Sequence, residues 1–108
     1  MLLNYKKPDG SSTTVRLKEL PHAPPVTIGR GKDATVVVDD EKCSRIHCAI
    51  RYWDDIFVIR DMNSSNGTYL NGETIDVAKL NPGDVVKIGD TELRASASGS
   101  GSDVTMRQ

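Results

Sequence analysis

The sequence has almost no cysteine, no long apolar run, no excess of either charge and no helical periodicity. Each shortage excludes a class of protein. Two cysteines among 108 residues, Cys43 and Cys48, are too few for a disulfide scaffold and read as reduced thiols, one in a loop and one in a strand. The longest wholly apolar run, Ile56-Phe57-Val58-Ile59, falls far short of the roughly 20 residues that cross a bilayer. The N-terminus turns polar by Asn4 and Lys6, too early for a signal peptide, so a cytoplasmic setting without a membrane is expected. A formal net charge of −1 lacks the basic excess with which nucleic-acid binders neutralise a phosphate backbone. No segment offers ten or more residues of helical period.

What is present is a series of short β-type runs separated by turn residues. Leu2 to Lys6 and Thr13 to Leu17 flank Pro8-Asp9-Gly10-Ser11, a hairpin pattern. Val26 to Ile28 and Thr35 to Val38 follow. Ile46 to Tyr52 and Ile56 to Arg60 flank Asp54-Asp55, a second hairpin. Within Ile56 to Arg60, the even positions share one face, with Phe57 and Ile59 on the other. Asn71-Gly72, both tolerant of positive φ, predicts a type I′ turn between Thr68–Leu70 and Glu73–Ile75. Asn81-Pro82-Gly83-Asp84 leads into Val85 to Ile88, and Gly89-Asp90 separates that run from Thr91 to Arg94. Many short strands with frequent turns predict an all-β sandwich or small barrel. After Arg94 the composition becomes Ala/Ser/Gly-rich, which predicts a domain over 1–95 and a flexible tail over 96–108.

Three loop segments carry costly residue choices: Gly29-Arg30-Gly31, Ser44-Arg45-Ile46-His47 and Ser64-Ser65-Asn66-Gly67-Thr68-Tyr69-Leu70-Asn71-Gly72. Loops of a sandwich cluster at the ends of its sheets, so distant segments can meet at one rim. Together they offer guanidinium forks, short hydroxyl donors and an amide that both donates and accepts. That inventory suits a phosphomonoester, which brings about −1.5 to −2 charges and three acceptor oxygens.

The order Gly-Arg, then Ser-Arg-x-His, then Asp61-x-x-Ser64-x-Asn66-Gly67-Thr68-x-x-Asn71-Gly72 resembles the signature of the forkhead-associated domain family. The resemblance implies an eleven-stranded, two-sheet β-sandwich that recognises phosphothreonine in an extended peptide, within signalling by Ser/Thr kinases. By position, Arg30 and Ser44 match the family's main phosphate ligands. Arg45 matches a second charge, and Ser65 a further contact to phosphate or threonine. Asn66 matches the residue that bonds the peptide backbone. His47, Gly29, Gly67, Asn71 and Gly72 match positions that shape the loops. Lys42 and Asn63 lie in loops that could read the third residue after the phosphothreonine.

The resemblance implies no catalysis and no cofactor. Ser44, His47 and Asp61 are the residue types of a hydrolase triad, but no nucleophile-elbow or oxyanion motif accompanies them. Cys43, His47, Cys48 and His22 have no usual zinc spacing. Two alternatives stay open: a sandwich that binds a partner without phosphate, and self-association through a phosphorylated Thr105 in the tail. A monomer is otherwise expected.

Overall fold

The computed structural model describes residues 1–7 and 9–97; Pro8, Thr105 and most of the anticipated tail lie outside the described residues. Eleven strands form two sheets: β1 (Leu2–Lys6), β2 (Ser12–Arg16), β3 (Val26–Gly29), β4 (Val36–Val37), β5 (Cys48–Trp53), β6 (Ile56–Asp61), β7 (Thr68–Leu70), β8 (Glu73–Ile75), β9 (Val77–Leu80), β10 (Val85–Ile88) and β11 (Thr91–Ser96). One sheet runs β2-β1-β11-β10-β7-β8 and the other β4-β3-β5-β6-β9. The pair β3·β4 is parallel and the remaining pairs are antiparallel.

Period-two alternation drives this arrangement, because inward positions of each strand are apolar. Leu3, Ile88 and Leu93 from the six-stranded sheet meet Ile28, Ile59 and Leu80 from the other, all essentially inaccessible to solvent. Each such side chain contributes about 1.5–3 kcal/mol through the water it sheds. Both cysteines belong to this core as free thiols. Burial, reinforced by the Asp40 charge for Cys43 and the Asp61 charge for Cys48, pushes each thiol up to about 12. They are therefore inert as thiolates near neutral pH.

The larger departures from the sequence pattern concern β9, β5 and β4. Val77–Leu80 forms β9, a strand that the sequence pattern does not announce. No turn residue separates it from β8; the chain changes sheets at Asp76 alone, whose carbonyl accepts the Asp61 amide at 2.8 Å. Ile46 and His47 precede β5 rather than belonging to it, because their segment bonds the β3–β4 loop instead of a ladder. The fourth strand is reduced to Val36–Val37.

Strand direction then decides where the site lies. The β3 end pairs with the β5 start (Ile28 opposite Cys48), which lies opposite the β6 end at Asp61. In the other sheet the β7 start, Thr68, faces the β10 end, Ile88. The loops β3–β4, β4–β5, β6–β7 and β10–β11 thus emerge at one rim. The Asp54-Asp55, Asn71-Gly72 and 81–84 turns sit at the opposite end.

Candidate functional site

The rim is built in two layers, and backbone pairing makes the lower one. Arg30 N–H donates to the Ser44 carbonyl at 2.9 Å, Gly31 N–H to the Arg45 carbonyl at 3.0 Å, and His47 N–H to the Ile28 carbonyl at 2.8 Å. These bonds zip the β3–β4 loop to the segment before β5. The approach requires glycine at position 29 for space, not for conformation. A Cβ there would be driven into the carbonyl oxygen of Arg45 and would stand 2.6 Å from its carbon.

His47 joins that zipper to the third loop. Its ring is fully buried. Nδ1 accepts the Ser44 amide at 3.1 Å, so Nδ1 carries the lone pair and the ring proton sits on Nε2. Nε2–H then donates to the Gly67 carbonyl at 2.8 Å. With both ring nitrogens engaged to backbone, the imidazole is a strut. It meets the Ser44 main chain rather than the Ser44 hydroxyl, so the residue types of a hydrolase triad do not assemble into one.

Asp61 organises the β6–β7 loop. It accepts the Ser64 amide at 3.1 Å, the Ser64 hydroxyl at 2.5 Å and the Thr68 hydroxyl at 2.7 Å. Ser64 Oγ in turn accepts the Gly67 amide at 3.0 Å. Burial opposes the Asp61 charge, yet the hydroxyls of Ser64 and Thr68 and the Ser64 amide hold the carboxyl below its ordinary value. Gly67 has a φ of 85°, a left-handed turn that favours glycine.

The upper layer is exposed. Arg30 donates Nε–H to the Cys43 carbonyl at 3.1 Å, which fixes the guanidinium while its two Nη groups find no protein partner among the described residues. Ser44 Oγ accepts the Ser65 amide at 3.1 Å, joining the second and third loops. Asn66 donates its side-chain amide to the Lys42 carbonyl at 2.8 Å, leaving Oδ1 without a protein donor among the described residues. Arg45 and Ser65 are exposed, and the Arg45 guanidinium has no protein partner among those residues. Arg30, Ser44, Arg45, Ser65 and Asn66, drawn from three loops, thus gather at one rim.

Asn71 and Gly72 do not reach it. With φ values of 51° and 88° they form the predicted turn at the far end of β7. Asn71 is clamped there to Asp84 at 3.0 Å and to the Val85 amide at 2.9 Å. The lengths of β7 and β8 separate them from the rim. Lys42 pairs with Asp90 at 3.1 Å, both side chains largely exposed. Asn63 is exposed in the β6–β7 loop with a φ of 58°.

Two contributions carry no signature in the sequence. The carbonyls of Lys42 and Cys43 position Asn66 and Arg30, and a carbonyl is present at every residue. Asp40 accepts the Asp90 amide at 2.7 Å, the Thr91 hydroxyl at 2.8 Å and the Lys42 amide at 2.9 Å, tying the β4–β5 loop to the β10–β11 turn.

The FHA domain model matches residues 26–89, more than half of the chain and all three rim loops. The chain belongs to the FHA domain family. It is 36% identical over 85 residues to the FHA domain-containing protein FhaA of Mycobacterium tuberculosis, a match covering 79% of this chain and 15% of that protein. It is 37% identical over 94 residues to the glycogen accumulation regulator GarA of Mycolicibacterium smegmatis, covering 80% of this chain and 59% of GarA. The chain therefore spans less than two thirds of either relative. The FhaA FHA domain, solved in complex with the intracellular domain of Rv3910, superposes with a TM-score of 0.75 at 33% identity, covering 86% of this chain and 96% of that one. A domain from a structural study of phosphothreonine-dependent FHA interactions gives 0.75 at 29% identity, over 90% and 95% of the two chains.

Proposed function

We propose that this FHA domain is a phosphothreonine-dependent reader of a partner protein in Ser/Thr-kinase signalling, a binding module rather than an enzyme. The observation that carries the reading is the Arg30 guanidinium, anchored through Nε with its Nη groups open, on a loop zipped to Ser44. In this reading the phosphate enters the rim between Arg30, Ser44, Arg45 and Ser65. Forked and hydroxyl donors approach its oxygens from several sides. Asn66, held by one end of its amide, offers the other to the peptide main chain and so sets its direction.

Two properties support specific recognition. Arg30, Ser44 and Asn66 are pre-positioned by bonds to main-chain groups, which limits the ordering cost of binding. Arg30 and Arg45 place two cations at the rim of a chain whose net charge is −1, so no chain-wide basic excess draws in polyanions at large. FHA relatives of this chain include FhaA, solved with a partner's intracellular domain, and the regulator GarA. The proposed reader occupies residues 1–95, acts in the cytoplasm and binds as a monomer.

The test is a titration of one peptide in phosphothreonine, phosphoserine and unmodified form. Micromolar binding, on the order of −8 kcal/mol, is expected for the phosphothreonine form and should weaken with added salt. Equal affinity for the unmodified peptide would defeat the reading in favour of a phosphate-independent partner. Self-association through Thr105 is tested by mass measurement after kinase treatment, with Thr105→Ala as control; a monomer throughout dismisses it.

A further inference from the structure

The outward faces of the two sheets differ in kind. On the six-stranded sheet, Asn4 bonds the Ser96 and Thr14 hydroxyls at 3.2 and 2.7 Å, and Lys87 stands opposite Glu92. That face is polar and hydrogen-bonded within itself, with Lys6, Arg16, Lys87 and Arg94 set around the carboxylate of Glu92. On the five-stranded sheet the outward positions of β5, β6 and β9 carry cations and apolar groups and no carboxylate. Arg51, Val58 and Lys79 form one cross-strand row. In the next row Arg60 stands beside Val77, which is 52% exposed on the edge strand. The last row pairs Ile56 with Trp53, which is 58% exposed, its ring 6.0 Å from the Arg51 guanidinium carbon.

The chain as a whole is slightly acidic, so a carboxylate-free face is a local segregation and not an average property. An apolar surface left open beside unpaired cations is suited to a partner that supplies both hydrocarbon and carboxylates. Arg51 and Lys79 lie two strands apart, about 10 Å at the usual strand spacing. Residues seven apart on a helix are separated by about 10.5 Å along its axis. Asp54 and Asp55 form the turn next to Trp53; a bilayer is a continuous anionic surface and would press its headgroups onto them, whereas a helix laid along the Arg51–Val58–Lys79 row keeps its carboxylates at the two cations and away from that turn.

We infer that the outward face of β5, β6 and β9 docks an acidic amphipathic helix of a partner protein. The apolar stripe of that helix covers Val58, Ile56 and Trp53, and its flanking carboxylates meet Arg51 and Lys79. The contact is independent of phosphate and separate from the rim, and it stands whether or not the rim reads phosphothreonine.

Trp53 is the only tryptophan in the sequence, so its fluorescence reports on this face directly. The probe is a synthetic helical peptide with leucines at i, i+3, i+4 and i+7 flanked by glutamates, titrated against its lysine-for-glutamate counterpart. A saturable change in Trp53 emission is expected with the glutamate peptide alone, and Arg51→Glu/Lys79→Glu should weaken it at least about tenfold. Thermal unfolding of that variant checks that it folds; if it does not, Val77→Asp replaces it. No response to the glutamate peptide, equal binding by the lysine peptide, or undiminished binding by the charge-reversed protein would each overturn the inference. So would a response only to phosphatidylserine-containing vesicles, which would make the face a membrane contact.

Discussion

The lower and upper layers of the rim come from the same three loops yet differ in almost every physical respect. Below, Gly29, His47 and Thr68 are buried and Asp61 is half-buried; all are hydrogen-bonded, and each fixes a main-chain path. Above, Arg30, Arg45, Ser65 and Asn66 are exposed and spend few or none of their donors on the protein. The difference separates shape from affinity. A lower-layer residue cannot be altered without moving the loops, whereas an upper-layer residue can be removed with the fold intact. Ser44 belongs to both, since its main chain sits in the zipper and its hydroxyl faces the Ser65 amide.

That division can be broken at its strongest point with Gly29→Ala. The added methyl meets the Arg45 main chain, which cannot yield without opening the zipper, and a loss of roughly 3–5 kcal/mol of stability is expected by chemical denaturation. Next is His47→Ala, which leaves a void and strips partners from the Ser44 amide and the Gly67 carbonyl. A stability loss of about 2–3 kcal/mol is expected, and phosphopeptide binding should fall as the loops separate.

Arg30→Ala sharpens the comparison from the other side. Phosphopeptide affinity measured by calorimetry should drop by about 1.5–3 kcal/mol or beyond detection, with the melting temperature nearly unchanged. Retained binding would remove Arg30 from the phosphate site. A smaller effect is expected in acid. The Asp61 carboxyl is held below its ordinary 3.8 in the folded state, so its contribution is complete above that value and is lost as pH falls through the lower folded value. Asp61→Asn should flatten, without abolishing, the decline in melting temperature below about pH 4, because the Asp40 carboxyl, opposed by burial but held by Thr91 and main-chain amides, is lowered too. The smallest effect belongs to Arg45→Ala, about 0.5–1 kcal/mol of binding, since an exposed unpaired side chain must be ordered to reach a phosphate.

How much was legible in the sequence follows the same physical line. Alternation separated the two faces of β6, and Asn71-Gly72 announced its own turn because both residues accept positive φ. The Asp54-Asp55 turn was readable as well, with φ values of 53° and 65°. Strand β9 was not, since Val77–Leu80 becomes a strand only by pairing with β6, and nothing local separates it from β8. Position along a motif is also not position in space. Asn71 and Gly72 lie next to Thr68 in the sequence, but a three-residue strand carries them to the opposite end of the sandwich.

By itself, the sequence determined the fold class and the identity of the rim residues. Periodicity and turn chemistry are local, and three spaced motifs specify one family. Tertiary structure decided which loops share a rim, that Lys42 and Cys43 act through their carbonyls, and that His47 is a strut with both nitrogens occupied. It also set cations beside apolar groups on one outward face. Each of these depends on strand direction and register between segments distant in the chain, and a list of residues does not contain that pairing.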